Sequence, residues 1–144
     1  MMLKVEEVRI FKAPLEKVIS VITDYESYPE FLSSMSDVEI IEKLSDKETL
    51  VRFQLELIMR LEYQLLMEED LPHRLVWKLR KSENMLVNQG AWHLRVLNDQ
   101  ETEIRYELEV EFQGRLPQSI HDRITTLALP RTLEEFRLRV ESIL

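Results

Sequence analysis

Apolar and polar residues alternate along the middle of this 144-residue chain. Between positions 37 and 112, about six segments carry an apolar side chain at every second residue, which is the period of a β-strand with one buried face. The segment 104–112 is the most regular, because charged residues occupy every intervening position. Short turns rich in Ser, Asn, Asp and Pro separate the segments, so we predict consecutive antiparallel strands.

The N-terminal part predicts one further strand and two short helices. Segment 3–11 is the strand, and Pro14 then begins a helix, because the first helical position needs no N–H group. The apolar residues of this helix recur at helical spacing: Leu15, Val18, Ile19 and Ile22. A second helix follows over 25–32, in which Pro29 limits the length and Asp24 is the predicted N-cap.

The apolar period changes to three and four after Pro117, which predicts a long amphipathic C-terminal helix. Its apolar face runs from Ile120 to Ile143. Pro130 lies inside this helix and has no N–H to donate, so we expect a kink or a division between residues 127 and 132.

This order of elements predicts an α+β domain that spans residues 1–144 without a linker or a repeat. About seven antiparallel strands expose a broad apolar face, and the C-terminal helix is the one long element left to cover it. We therefore predict a curved antiparallel sheet wrapped on a long C-terminal α-helix, with two short helices after the first strand. A space between sheet and helix is the expected ligand site.

Composition excludes several classes of protein. The chain has no cysteine, which rules out disulfides, cysteine-ligated zinc, iron–sulfur clusters and thiol nucleophiles. Its two glycines, Gly90 and Gly114, are too far apart to build a dinucleotide fingerprint or a P-loop, and Gly90 instead indicates a bulge or a close backbone approach. The formal net charge of −8 disfavours a nucleic-acid partner. The sequence has no signal-peptide core or membrane-spanning run, so we expect a cytoplasmic protein.

The strand periodicity assigns the side chains that should face the helix. We predict that these side chains bind an apolar ligand together with two helix residues that point back toward the sheet. The ten residues are Phe53, Leu55, Tyr63, Met67, Trp77, Trp92, Tyr106, Leu108, Ile124 and Leu127. In this hypothesis the hydroxyls of Tyr63 and Tyr106 orient the ligand. The alternative is a filled hydrophobic core without a cavity.

Few other residues suggest chemistry. Asp24 is a candidate catalytic carboxylate, although its position favours a helix cap. Glu7 and Arg9 lie in a strand whose two faces are equally apolar, so they form either a buried pair or, as we favour, an exposed one. Segment 84–89 offers polar groups near one end of the expected cavity and is interpreted as a solvated hairpin. The three histidines lack the spacing of metal ligands, so we predict no metal site, no cofactor and no assigned catalytic residue.

Three short motifs resemble those of a known family. APLEKV at 13–18 and DYESYPEF at 24–31 are similar to an "AP-x-E-x-V … D-x-x-x-Y-P-x-F" opening, and GAWHL at 90–94 is similar to a later "G-x-W-x-F/L" strand. The chain resembles the START-like (SRPBCC) helix-grip superfamily, in particular its polyketide cyclase/dehydrase and coenzyme-Q-binding branch. The resemblance covers essentially the whole chain, and it implies a cavity between the sheet and the C-terminal helix.

Three functions are compatible with this sequence. The leading hypothesis is a non-enzymatic binder or carrier of a hydrophobic small molecule, such as a lipid, a quinone or a polyketide-like compound. The second is a polyketide cyclase or dehydratase, for which Tyr63, Tyr106, Glu7 and Arg9 are the candidate acid–base groups. The third is a protein-interaction module like the ribosome-associated relatives, for which the net charge favours a basic protein partner over rRNA.

Overall fold

The computed structural model describes residues 2–142. Its N-terminal part consists of strand β1 (Leu3–Phe11), helix α1 (Leu15–Ile22) and a 3-10 helix (Tyr25–Glu30). The following strands are β2 (Met35–Lys43), β3 (Glu48–Glu56), β4 (Arg60–Asp70), β5 (Arg74–Ser82), β6 (Met85–Asn98) and β7 (Glu101–Phe112). The C-terminal helical region comprises helix α2 (Gln118–Arg123), a π-helical turn (Ile124–Ala128) and helix α3 (Leu129–Ser142).

All seven strands form one antiparallel sheet in the order β1-β7-β6-β5-β4-β3-β2. Strands β2 to β7 follow one another as neighbours, and β1 completes the sheet beside β7, where Leu3 pairs with Val110 and Phe11 with Thr102. The predicted fold class is confirmed: the protein is α+β, with a seven-stranded antiparallel sheet and a long C-terminal helical region.

Alternate residues of the strands pack beneath the C-terminal helical region. In β3, for example, Val51 and Phe53 are buried. Helix α3 contributes three buried residues to the same core: Leu133, Phe136 and Val140. The ring of Phe136 lies edge-on to the ring of Trp92, with 4.9 Å between their centroids. Helix α3 is therefore fixed directly to the sheet.

The C-terminal helical region changes its geometry just before Pro130, within the predicted interval. The π-helical turn ends at Ala128, and α3 begins at the next residue. Pro130 donates no backbone hydrogen bond, and the wider turn ahead of it accommodates that loss. The hydroxyl of Thr132 donates to the carbonyl of Ala128 at 2.9 Å, which satisfies one carbonyl group at the break. Ile143, the predicted end of the apolar face, lies outside the described residues.

Among residues 2–142, none of the helices is long and apolar enough to cross a membrane.

Gly90 marks a close backbone approach and not a bulge. It lies in β6 between Trp77 of β5 and Leu108 of β7, and the pairing is regular on both sides. A β-carbon at this position would overlap the carbonyl oxygen of Glu107 and would lie 2.7 Å from the Trp77 ring. A side chain as small as alanine therefore does not fit without movement of the neighbouring strand.

The predicted N-cap role of Asp24 is wrong. Asp24 precedes the 3-10 helix, but its side chain is exposed and makes no capping hydrogen bond. Its backbone carbonyl instead accepts a hydrogen bond from the N–H of Ser27 at 3.1 Å, which is the ordinary bond of a 3-10 turn. The turn thus forms without help from the carboxylate.

Strand β1 directs Glu7 and Arg9 toward the same face as Phe11. Val8 and Ile10 are about half exposed on the opposite face, which shows that the two faces are not equivalent. Arg9 Nη1 lies 2.8 Å from Glu7 Oε2, and the side chains are 38% and 34% exposed. The two residues therefore form a partly exposed ion pair on the inner side of an edge strand.

Candidate ligand-binding site

A cavity of about 150 Å³ lies between the sheet and the C-terminal helical region. Strands β3 to β7 supply most of its wall, the 3-10 helix closes one side, and the π-helical turn and α3 lie across it. Among the described residues, the lining has no charged side chain. The core is therefore not completely filled, and the alternative of a solid core is wrong.

All of the predicted ligand-binding residues except Leu127 line this cavity: Phe53, Leu55, Tyr63, Met67, Trp77, Trp92, Tyr106, Leu108 and Ile124. Leu127 is 55% exposed and faces an outer groove, so the prediction that it points toward the sheet is wrong. The physical reason is the π-helical turn, which has more residues per turn than an α-helix and so rotates Leu127 away from the face that Ile124 occupies. The role of these residues in ligand binding stays a prediction.

Packed aromatic rings form much of the cavity wall. The Tyr106 ring lies between two tryptophans, 5.0 Å from the Trp92 ring and 5.6 Å from the Trp77 ring, measured between centroids. On the other side, Phe53 stacks on Tyr63 at 5.6 Å. Because each ring is held by its neighbours, the wall is formed before any ligand binds.

Two tyrosine hydroxyls in this wall have no hydrogen-bond partner within residues 2–142. They belong to Tyr63 and Tyr106. Burial raises the pKa of both phenols above their ordinary range, and the nearby Tyr63 raises the pKa of Tyr106 further. Both hydroxyls therefore stay protonated at neutral pH and can donate a hydrogen bond to a ligand. Tyr28 also lines the cavity, but its hydroxyl already donates to the carbonyl of Ile22.

Asn88 is a polar cavity residue that the sequence interpretation missed. The segment 84–89 lies in the β5–β6 hairpin, with residues 85–89 in strand β6, but it is not fully solvated, because Asn88 is buried within it. Its side-chain oxygen accepts a hydrogen bond from the indole N–H of Trp77 at 3.1 Å. Asn88 thus fixes one tryptophan of the wall. Asn88 lies four residues before Trp92, and residues two or four apart share one face of a strand. This spacing indicated that Asn88 faces the cavity.

A groove of about 390 Å³ adjoins the cavity at the surface. It lies between the β3–β4 turn and the residues 116–131, and it shares part of its lining with the cavity, including Leu57, Ile124 and Ala128. Two exposed apolar residues of the turn, Ile58 and Met59, form its outer edge. The cavity and the groove are therefore adjacent and share the wall that these residues form.

Comparisons with known proteins give a consistent result. A family model described as "Polyketide cyclase / dehydrase and lipid transport" matches residues 11–137. No curated protein sequence matches the chain. Among solved structures, the Zhui aromatase/cyclase from Streptomyces sp. R1128 superposes with a TM-score of 0.81 at 15% identity, covering 99% of this chain and 93% of that chain. A STAR-related lipid transfer protein from Xanthomonas axonopodis gives a TM-score of 0.78 at 14% identity, covering 95% and 85%.

The sheet, the helix and the cavity between them define this chain as a START-like helix-grip protein. Within that superfamily it belongs to the polyketide cyclase/dehydrase and lipid transport family, because the family model covers most of its length. The resemblance drawn from the motifs at 13–18, 24–31 and 90–94 is confirmed at this level. At such low identities the superposed structures establish the fold, whereas the ligand has to be argued from the site itself.

Proposed function

We propose that this protein binds and carries a hydrophobic small molecule in the space between the sheet and the C-terminal helical region. The observation that carries the proposal is the uncharged cavity with its two unpartnered tyrosine hydroxyls. Removal of apolar ligand surface from water drives binding, and the hydroxyls of Tyr63 and Tyr106 select a ligand with a hydrogen-bond acceptor. The lipid transfer protein and the aromatase/cyclase among the similar structures support a ligand of this kind.

The cavity is too small to hold a lipid or a polyketide by itself. A cavity of about 150 Å³ accommodates a molecule such as benzene. Ligands of drug size occupy pockets of roughly 300–1,000 Å³. A larger ligand must therefore extend into the adjoining groove, whose volume is about 390 Å³. In our proposal one end of the ligand lies between Tyr63 and Tyr106, and the remainder follows the groove toward solvent.

The segment 116–129 is the part of the chain that a ligand has to displace. No residue of α2 or of the π-helical turn is buried, whereas α3 holds three buried residues. Displacing this segment moves the half-buried Ile124 and Leu129 but none of the three fully buried side chains of α3, so it costs less free energy than detaching α3. We propose that segment 116–129 acts as the cover of the cavity.

Native mass spectrometry of the protein purified from its own host tests this proposal. We expect a bound small molecule that denaturing solvent releases into an organic extract. Ala128→Phe places a ring between cavity and groove and should abolish the bound mass. Leu138→Phe, on the exposed side of α3, is the matched control and should retain it. Wild-type protein that carries no ligand and binds no fluorescent apolar dye would refute the proposal.

The same hydroxyls favour a second candidate, a cyclase or dehydratase acting on a polyketide-like substrate. Tyr63 and Tyr106 carry neutral hydroxyls that can polarise a bound carbonyl oxygen by donating a hydrogen bond. Within residues 2–142, however, no ionised base lines the cavity, and the Glu7–Arg9 pair lies outside it. Turnover of a polyketide-like substrate that is lost in Tyr63→Phe/Tyr106→Phe would favour the enzyme. Binding without turnover would favour the carrier.

A further inference from the structure

The groove carries arginines that no carboxylate neutralises. Most arginines of the chain are in ion pairs with carboxylates: Arg9, Arg52, Arg60, Arg74, Arg95, Arg105, Arg137 and Arg139. Within residues 2–142, the arginines without such a partner are Arg80, Arg115, Arg123 and Arg131. All but Arg80 lie in the short stretch 115–131, and Arg123 and Arg131 line the groove.

Among the described residues, the groove lining holds two arginines and one carboxylate. Glu56 is the one carboxylate among the described lining residues, and it is already held by Arg60, with 2.6 Å between Arg60 Nε and Glu56 Oε1. Asp122, the neighbour of Arg123 in sequence, does not line the groove, and its side chain accepts a hydrogen bond from Gln118 at 2.9 Å. The groove is therefore locally cationic in a protein whose formal net charge is −8.

An apolar path connects these arginines with the cavity. Leu127 stands four residues from Arg123 and four from Arg131, about one helical turn from each, and it is 55% exposed. Deeper in the groove, Ile124 and Ala128 also line the cavity. An occupant that follows this path buries apolar surface along its length and meets two guanidinium groups at the outer end.

We propose that the ligand is an anionic amphiphile, whose apolar part enters the cavity and whose carboxylate or phosphate group binds Arg123 and Arg131. This inference rests on the proposed function and adds the charge class of the ligand to it. Guanidinium groups match the oxygens of carboxylates and phosphates, and they remain charged at every relevant pH. A neutral ligand would place no charged group beside Arg123 and Arg131.

Titration with decanoate and with decanol tests the inference, because the two probes share a chain and differ in the charge of the head group. Both tryptophans of the protein line the cavity, so their fluorescence reports its occupancy. We expect decanoate to bind about fivefold to tenfold more tightly than decanol, because this is the combined contribution of two exposed ionic contacts. Arg123→Gln/Arg131→Gln should remove this preference and leave the affinity for decanol unchanged. Arg80→Gln, which removes an unpaired arginine elsewhere, is the matched control and should keep the preference.

The possible failures are distinguishable. Equal affinities of the wild-type protein for decanoate and decanol would overturn the inference and leave the proposed function intact. Binding of neither probe would count against both. If Arg123→Gln/Arg131→Gln changes binding to phosphatidylglycerol vesicles but not the preference for decanoate, the arginines contact a membrane surface and the inference is wrong. Elevated salt should weaken the preference for decanoate, because exposed charges are screened.

Discussion

Replacement of Tyr63 and Tyr106 by phenylalanine should separate stability from ligand binding. Neither hydroxyl has a hydrogen-bond partner in residues 2–142, so its removal breaks no hydrogen bond between described residues. We expect the free energy of unfolding of each variant to stay unchanged or to rise by up to about 1 kcal/mol. Binding of a ligand that accepts a hydrogen bond should weaken at the same time.

Tyr28→Phe provides the matched control, because all three tyrosines line the cavity but only the Tyr28 hydroxyl makes a hydrogen bond among the described residues. The Tyr28 hydroxyl donates to the carbonyl of Ile22 in the buried interior. Tyr28→Phe removes this hydrogen bond, and we expect the free energy of unfolding to fall by about 1–2 kcal/mol. In a domain of this size that loss corresponds to a decrease in Tm of roughly 3–8 °C.

Urea denaturation and ligand titration supply the two measurements. Naphthoquinone and naphthalene are matched probes, since only naphthoquinone carries carbonyl oxygens. We expect the wild-type protein to prefer naphthoquinone by up to about tenfold, and Tyr63→Phe/Tyr106→Phe to lose that preference. A loss of stability above about 1 kcal/mol in either single variant would refute the reasoning, because it would show that the hydroxyl has a partner.

Three further predictions concern strand β6 and the buried tyrosines. Gly90→Ala should destabilise the protein by about 1–3 kcal/mol in urea denaturation, because the new methyl group overlaps the Glu107 carbonyl. An unchanged midpoint of urea denaturation would contradict this close approach. Asn88→Ala should lower the free energy of unfolding by about 1–3 kcal/mol and alter tryptophan fluorescence, since the indole N–H of Trp77 loses its acceptor. A variant as stable as the wild-type protein would show that water replaces the amide. All four tyrosines have a pKa raised by burial, so their ionisation should accompany unfolding above pH 10. Because the unfolded chain ionises first, stability should fall as pH rises through this range, and phenolate absorbance in folded protein at pH 10 would contradict the prediction.

The fold was predictable from the sequence because the apolar pattern within each segment determines the type of element. Alternation at period two fixes the inner face of each strand, and short polar turns make consecutive strands neighbours. The change of period after Pro117 then identifies the one element able to cover the sheet. For the same reason, the strand residues of the site, such as Trp77 and Tyr106, were placed on the correct face.

The errors occur where the local period is interrupted. Asn88 was missed because a bulge between Met85 and Val87 shifts the register at the start of β6 and hides the alternation. Leu127 was misplaced because the π-helical turn changes the angle between successive side chains. The residue pattern alone did not decide between a cavity and a filled core, since this depends on how side chains from distant segments fill a common volume.

The position of the helical irregularity connects the fold to the proposed function. Leu133, Phe136 and Val140 hold α3 against the sheet, and burial of each such side chain contributes about 1.5–3 kcal/mol. The π-helical turn and Pro130 lie between this anchor and α2, which holds no buried residue. Displacement of α2 together with the π-helical turn moves Ile124 and Ala128 away from the cavity and leaves the three buried side chains of α3 in place. Arg123 lies on the displaceable side of the break and Arg131 on the anchored side. An anionic head group bound to both would therefore join the two sides and hold the cavity closed around its ligand.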